Sequence, residues 1–264
     1  MTLPTLFVPH GAPTFALRPG AAGAALVTLA EQLERSKAII VVSPHWETRE
    51  PTVGSATDLE TIYDFSGFPR ELYTLTYPAH SDSQFAQRVA QCLQAAGYAP
   101  RIDTQRGLDH GAWVPLRMMF PHADIPVIPL SIKAYAGAAY HYALGQALAP
   151  LAAEGFLIIG TGSITHNLRD YMVCVHNNLP TPDYVPRFAD WIDQQLKSGD
   201  ITGLIDYRKQ SPDAAQAHPT EDHFMPFFVA LGASGTKANA RRFYAGVDDL
   251  VIAMDGYQFG RAVQ

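Results

Sequence analysis

Four short apolar runs constrain the fold of this chain most strongly, because none of them alternates polar with apolar residues. Runs of this kind are typical of strands that helices cover on both faces. They are Thr5–Val8, Ala38–Val42, Ile125–Leu130 and Phe156–Ile159. Helical periodicity predicts helices between and after these runs, with one more strand near the end of the chain. The predicted helices are Ser83–Ala96, Ala138–Ala149, Tyr184–Lys197 and His223–Leu231, and the last strand is Leu250–Met254.

Strands that alternate with helices predict an α/β fold. We expect residues 1–264 to form a single domain, because the sequence has no internal repeat and no clear linker. Its central sheet should be mostly parallel or mixed and flanked by helices. The long aromatic segment Thr48–Ser83 fits neither a helix nor a strand, and we interpret it as a structured loop that walls a pocket.

Composition argues against several classes of function. Hydrophobic residues make up 47% of the 264 residues, enough for a sizeable core, and the formal net charge is −6. A mildly acidic chain without a basic stripe is a poor nucleic-acid binder, because it cannot replace phosphate counterions. The sequence shows neither a signal-peptide pattern nor an apolar stretch near the roughly 20 residues of a membrane span. Cys92 and Cys174 form no C-x-x-C pair, which fits a reducing compartment. Together these features predict a cytoplasmic protein without membrane or nucleic-acid partners.

Histidines follow three of the four apolar runs. The first run leads into His10, the second into His45, and the last into His166. Ligands of open α/β sheets bind outside the carboxyl ends of the strands, so these three imidazoles could converge on one site. A further group, HPTEDH at residues 218–223, places two imidazoles and two carboxylates within six residues.

A single histidine after a strand is more often a polar loop residue or a hydrogen-bonded core residue than a ligand. Three histidines that each follow an apolar run, beside Pro or Gly, favour a shared site. Imidazole suits iron, zinc, copper and nickel, so the residues alone leave the metal open. His110, in the stretch LDHGAW, belongs either to a helix cap or to the pocket. We expect the remaining histidines to be surface residues, namely His80, His122, His141 and His176.

Six motifs, in the same order along the chain, resemble a known family. They are VPHGAPT (8–14), SPHWE (43–47), YDFSGFPRELYTLTYPA (63–79), LDHGAWVPL (108–116), GTGSITHNL (160–168) and HPTEDHFMPFFVALGA (218–233). The family is the class III extradiol ring-cleavage dioxygenases, and within it the chain resembles the 4,5-DOPA-dioxygenase-like branch. Six collinear motifs over most of the chain make this resemblance far more specific than any one of them.

The resemblance implies a mononuclear Fe(II) centre, which Zn(II) can occupy in isolated protein. The metal ligands map onto His10, His45 and His223, and Glu221 is the reserve candidate for the third ligand. His166 maps onto the family's acid/base histidine, which is sometimes given as a fourth ligand. The implied partners are a small-molecule catechol and O₂. A homo-oligomer is compatible with the apolar excess of the chain.

Substrate contacts are expected from His110, Tyr63 and His218. The chain departs from the common pattern of the branch at Ser66 and at YPAHSD (77–82), which leaves open whether the catechol is 4,5-DOPA or a relative. An acidic or amino-acid substrate would need a cation. The sequence does not select among the candidates Arg70, Arg106 and Lys133.

Two other functions are compatible with the same residues. A zinc-dependent hydrolase or lyase would use the histidines to activate water. A non-catalytic metal-binding protein on the same scaffold would have no need of His166. In a dioxygenase, His166 would accept a catechol proton and return it later, as an imidazole with an ordinary pKa of about 6.5 can do.

Overall fold

A mixed sheet of eight strands runs through the centre of the structure, a computed structural model that describes residues 2–235 and 239–260. The strands in chain order are β1 (Thr5–Pro9), β2 (Ala38–Thr48), β3 (Thr52–Gly54), β4 (Arg101–Asp103), β5 (Val127–Lys133), β6 (Phe156–Gly162), β7 (Ala240–Tyr244), β8 (Val247–Asp248), β9 (Ile252–Ala253) and β10 (Gly256–Phe259). The order across the sheet is β4-β3-β5-β2-β6-β1-β10-β7, and β8 pairs with β9 as a separate hairpin.

Four adjacent strands in the middle of the sheet, β5-β2-β6-β1, are parallel. They correspond to the four apolar runs of the sequence, and their apolar side chains are buried. Antiparallel pairs lie on both flanks, with β3 against β5, β10 against β1 and β7 against β10. The prediction of a single α/β domain with a mixed central sheet is thereby confirmed.

Ten α-helices belong to the described part of the chain. They are α1 (Gly20–Gln32), α2 (Ser83–Ala95), α3 (His110–Met119), α4 (Gly137–Ala153), α5 (Leu168–Asn177), α6 (Tyr184–Ser198), α7 (Ile201–Ile205), α8 (Tyr207–Gln210), α9 (Ala214–Ala217) and α10 (Met225–Ala233). Short 3-10 helices occur at Pro13–Ala16, Arg70–Thr74 and Asp222–Phe224.

Helix α10 is apolar on every side, MPFFVALGA, and all of its residues are buried. It packs against β1, β2 and β6, and its outer side packs against α4. On the other face of the sheet, α3 contacts β2 and β6 and packs on α1. A helix with no polar face is stable only when it is enclosed in this way.

Glycines set the distance between α10 and its neighbours. A Cβ atom on Gly232 of α10 would lie 2.1 Å from the carbonyl oxygen of Tyr142, and Gly145 of α4 faces the same helix crossing. On the side of the sheet, a Cβ atom on Gly160 of β6 would lie 2.1 Å from the carbonyl oxygen of Pro226. Backbone therefore meets backbone on two sides of α10, which only residues without a side chain allow.

One predicted helix end is wrong. Helix α4 continues through Pro150 and ends at Ala153. Proline inside a helix removes one hydrogen bond and crowds the preceding turn. The helix nevertheless continues because Leu151 and Ala152, which follow the proline, are buried against the core.

The predicted strand Leu250–Met254 is confirmed only in part. Its extended part is Ile252–Ala253, and this part pairs with β8. Asp249 and Leu250 have positive φ angles of 46° and 62° and form the turn of the hairpin. Left-handed conformations are costly for residues other than glycine, and nothing in the local sequence indicates them.

The helix crossing generates a prediction about stability. On helix propensity alone, Gly232→Ala should stabilise the protein by about 0.5–1 kcal/mol. We expect the opposite, a loss of roughly 1–3 kcal/mol, because the added methyl group overlaps a backbone oxygen of α4. Chemical denaturation measures the change. Ala139→Gly, at an exposed position of α4, is the control for propensity, and a stabilised Gly232→Ala variant would contradict the close approach.

Candidate active site

The carboxyl ends of β1, β6 and β2 lie side by side, because β6 pairs with both of the other strands. His10 follows the last residue of β1, and His45 lies in β2 beyond the stretch that pairs with β6. Ser163 and His166 follow the end of β6. Side chains that are distant in the sequence thus line one cavity, as the strand-end pattern predicts.

His10, His45 and His110 form the tightest group of imidazoles, with ligand nitrogens that all lie within 4.8 Å of one another. The Nε2 atoms of His10 and His45 are 3.3 Å apart, and the ring centroids of His45 and His110 are 4.1 Å apart. His110 Nδ1 donates to Asp64 Oδ2 at 2.9 Å, and His45 Nδ1 lies 3.4 Å from the same oxygen. Both rings therefore turn Nδ1 to the carboxylate, which leaves Nε2 for other partners.

His166 and His223 line another side of the cavity. Their rings stack with centroids 3.5 Å apart and planes 4° apart. The centroid of His223 lies 4.9 Å from that of His45 and 5.5 Å from that of His10. His223 Nδ1 donates to Asp222 Oδ2 at 2.5 Å, so its Nε2 is the free nitrogen.

Backbone contacts fix the position of His223. The Ser163 amide donates to the His223 carbonyl oxygen at 3.1 Å. A Cβ atom on Gly162 would lie 2.2 Å from that same oxygen. The last glycine of β6 is therefore required for the turn before α10 to approach the strand end.

A buried network supports His45 from the other face of the sheet. Ser43 Oγ donates to Asp109 Oδ1 at 2.6 Å, and Asp109 also caps the N-terminus of α3. Arg106 donates to Asp109 Oδ2 at 2.8 Å and to the His45 carbonyl oxygen at 3.2 Å. A Cβ atom on Gly111 would lie 2.4 Å from Ser43 Oγ and 2.7 Å from His45 Cδ2. Arg106, one of the candidate substrate cations, thus hydrogen-bonds to the backbone of His45 and to Asp109 and supports the position of His45.

The electrostatics of these imidazoles fit a metal ion. Burial, followed by the neighbouring imidazoles, holds the pKa of His10 well below its usual value. Burial also lowers the pKa of His45 and of His166 to about 4, and it keeps the pKa of His223 low despite Asp222. Uncharged imidazoles offer the lone pair that metal binding requires. Two nitrogens bound at about 2.0–2.1 Å to one tetrahedral ion lie roughly 3.3 Å apart, which agrees with the 3.3 Å between His10 and His45.

Two residues suggested by the sequence face away from these imidazoles. His218 is fully buried, and its Nε2 donates to the Ile164 carbonyl oxygen at 2.7 Å. Glu221 Oε1 accepts a hydrogen bond from the Tyr207 hydroxyl at 2.8 Å. The spacing in HPTEDH does not reveal these directions, because of the residues 218–224 only His223 lines the cavity, whereas Phe224 stacks on His218. Asp222, rather than Glu221, contacts the ring of His223.

Tyr63 stands one layer behind the cavity wall. Its hydroxyl donates to the Leu75 carbonyl oxygen at 2.8 Å, and its ring packs against Phe65 with centroids 6.1 Å apart. Phe65, Phe68 and His110 do line the cavity. The loop predicted to wall a pocket therefore does so through its phenylalanines.

The cavity has a volume of about 670 Å³, within the usual range of small-molecule sites. Its wall is largely apolar above the histidines, with Phe15, Phe65, Phe68, Leu168, Tyr171 and Ile252. Arg18, Asp248 and Asp249 also line it. No sequence motif indicates these three charged residues, because they lie outside the six motifs.

The model of the family described as "Catalytic LigB subunit of aromatic ring-opening dioxygenase" matches residues 24–250 of this chain. The chain belongs to the LigB family. This membership confirms the resemblance carried by the six motifs and the expected enzyme class, an extradiol ring-opening dioxygenase. It also implies a metal, a catechol-type substrate and O₂, and the histidine group provides residues that fit a metal.

Relatives of the LigB-family chain match it over nearly its full length. The 4,5-DOPA dioxygenase extradiol of Beta vulgaris is 38% identical over 259 residues, which cover 97% of this chain and 96% of the relative. The protein of the same name from Escherichia coli (strain K12) is 32% identical over 262 residues, covering 98% and 91%. A crystal structure of an uncharacterized protein from Escherichia coli K12 matches with a TM-score of 0.79 at 27% identity, covering 98% of this chain and 100% of the other.

Among the described residues, no helix combines the length and the apolar character that a membrane-spanning helix needs.

The contact beneath His45 leads to a prediction. Gly111→Ala should weaken zinc binding by displacing the His45 ring, since the new methyl group would overlap the ring and Ser43. Competition with a chromophoric chelator measures the zinc affinity. Gly203→Ala is the matched control, because its methyl group would instead overlap the side chain of Asp200 at the start of α7, outside the cavity lining, and should lower stability with zinc affinity retained. Equal zinc affinity in both variants would contradict this role of Gly111.

Proposed function

We propose that this LigB-family chain is a non-haem Fe(II)-dependent extradiol dioxygenase that opens the ring of 4,5-DOPA or a related catechol with O₂. The proposed metal ligands are His10, His45 and His223, and the proposed acid/base residue is His166. One observation carries the proposal. Uncharged, largely buried imidazoles from separate elements converge at the floor of a cavity that is large enough for a substituted catechol.

Bound Fe(II) would supply the one-electron chemistry and Lewis acidity that let a catechol react with O₂. The contacts of His223 support its place as third ligand, because Asp222 fixes Nδ1–H and leaves Nε2 as the lone-pair donor. His110 is the alternative third ligand, since its nitrogens lie closest to His10 and His45. We propose instead that His110 Nε2 accepts a hydrogen bond from a catechol hydroxyl.

His166 is suited to handle the proton of the catechol. Its ring lies against His223 and lines the cavity, so a ring nitrogen can reach a hydroxyl of a substrate held above the metal ligands. A ring nitrogen would accept the hydroxyl proton and return it to oxygen as the ring opens. The stacking contact holds the imidazole in one orientation, which favours transfer to a defined atom.

The apolar wall would orient the catechol and exclude water. Phe65 and Phe68 contact each other edge to face, with centroids 5.5 Å apart, and Phe65 meets His110 in the same way at 5.6 Å. An aromatic ring between such side chains gains favourable edge contacts in addition to burial. Phe15 lines the cavity as well, beside His10.

The proposal also covers the setting of the enzyme. Residues 1–264 would form one catalytic domain that works in the cytoplasm. Cys92 and Cys174 are both buried and unpaired among the described residues, which suits a reducing compartment. A homo-oligomer stays a prediction that light scattering can test.

Oxygen uptake by the metal-loaded protein tests the central claim. After anaerobic loading with Fe(II), addition of L-DOPA and O₂ should consume one O₂ per catechol and give a yellow ring-fission product. His166→Ala should retain the metal and lose about 10²–10⁴-fold in kcat, whereas His10→Ala and His45→Ala should lose the metal. His176→Ala, at an exposed position of α5, is the control. Turnover without O₂ uptake would instead favour the zinc hydrolase.

Arg18 should affect the choice among catechols. Its guanidinium lines the cavity and is exposed, so a contact with a substrate carboxylate would be partly screened by water. Arg18→Ala should therefore raise KM for a catechol with a carboxylate by about 2–5-fold and leave KM for unsubstituted catechol unchanged. Steady-state kinetics with both substrates measure the ratio, and Arg101→Ala, at the exposed start of β4, is the control. An equal change for both substrates would contradict a role in recognition.

A further inference from the structure

Asp64 lies in the loop between β3 and α2, one residue before the cavity phenylalanine Phe65. Its side chain is about 20% exposed and makes three contacts with the site. Oδ1 accepts the backbone amide of His110 at 2.8 Å, and Oδ2 accepts His110 Nδ1–H at 2.9 Å. The same Oδ2 lies 3.4 Å from His45 Nδ1.

We propose that Asp64 is a positioning residue whose carboxylate holds His45 and His110 together, so that metal binding and catechol binding depend on one shared acceptor. The inference rests on the proposed function, in which His45 binds the metal and His110 contacts the substrate. A carboxylate in this position fixes the tautomer of an imidazole, so that the opposite ring nitrogen can bind a metal or a substrate.

The geometry explains why one carboxylate can serve two rings. The rings of His45 and His110 are tilted by 45°, with centroids 4.1 Å apart, so their Nδ1 atoms approach the same oxygen. A carboxylate can accept several hydrogen bonds at once, and it accepts only. His110 Nδ1 hydrogen-bonds to Oδ2 and His45 Nδ1 lies 3.4 Å from it, so in the proposed arrangement each ring carries its proton on Nδ1 and keeps a lone pair on Nε2.

The other nearby carboxylates have different tasks. Asp109 is engaged by Ser43 and Arg106, and it caps α3. Asp222 accepts from His223 Nδ1 on the other side of the cavity. In residues 2–235 and 239–260, Asp64 is the carboxylate that lies within 3.4 Å of the Nδ1 atoms of both His45 and His110.

The position of Asp64 also connects the substrate wall to the metal ligands. Phe65 packs edge to face on His110, with planes 89° apart. A shift of this loop would move the aromatic wall and the shared acceptor together. We therefore expect the loss of the carboxylate to affect both metal affinity and catechol KM.

Asp64→Asn is the direct test, because it preserves size and the acceptor for the His110 amide while it removes the charge. Its side-chain NH₂ group cannot accept Nδ1–H from the two rings. We expect zinc affinity, measured by chelator competition, to fall about 10–100-fold, as for other carboxylates that support metal-binding histidines. Asp82→Asn is the matched control, since Asp82 also accepts two hydrogen bonds but caps α2. Zinc affinity within twofold of the parent would overturn the proposal, whatever the thermal stability of the variant.

A double-mutant cycle with His110→Ala separates the two contacts. If Asp64 acts on His45 directly, Asp64→Asn should still lower zinc affinity when His110 is absent. A complete loss of the effect in that background would overturn the shared role. Loss of zinc from His110→Ala alone would also overturn it, because both rings would then be ligands.

Kinetics and spectroscopy complete the test. With Fe(II), Asp64→Asn should raise catechol KM after metal saturation has been restored, because His110 loses its acceptor. In the diamagnetic zinc form, ¹⁵N NMR should show Nδ1–H on His45 and His110 in the parent and a changed tautomer in Asp64→Asn. Zinc binding is measured without turnover, so failure of the parent to consume O₂ would overturn the proposed function and leave the effect on zinc intact.

Discussion

Parallel pairing of β6 with β1 on one side and with β2 on the other is the constraint on which the rest of the structure depends. It places the carboxyl ends of three paired segments at one edge, and a histidine follows each of these segments. The glycines of β6 then allow α10 to lie against the sheet, which brings the turn containing His223 to the same edge. Tertiary packing of the backbone, rather than local sequence, thus determines where the imidazoles meet.

Much of the central sheet could be predicted, because its signals are local. An unbroken apolar run marks a strand that is covered on both faces, and the four central strands all have one. The flanking strands lack this mark, since β3 and β4 span only three residues each and β7 is half-buried. The left-handed turn at Asp249 and Leu250 has no local sequence signal either, so the predicted strand Leu250–Met254 is longer than the observed Ile252–Ala253.

The candidate site could likewise be predicted only in part from the sequence. Residue type and the strand-end pattern indicate His10, His45 and His166 as candidate site residues. The pattern did not indicate which neighbours turn away, as His218 does toward Ile164. The pattern gives no sign of Asp64 either, because its hydrogen-bond partner His110 lies 46 positions away in the chain. His141, expected at the surface, is buried and bonded at both ring nitrogens, since the turn before α4 folds over it.

The enclosure of α10 has a consequence for how such enzymes can diversify. His223 enters the site from the turn that begins this helix, and the helix is fixed on two sides by backbone contacts. The histidine-lined floor of the cavity therefore tolerates little change without a cost to the packing of α10. The opposite wall consists of a loop and a two-stranded hairpin whose acidic tip is exposed. Changes in this loop and hairpin can thus alter the range of substrates while the arrangement of the histidines stays constant.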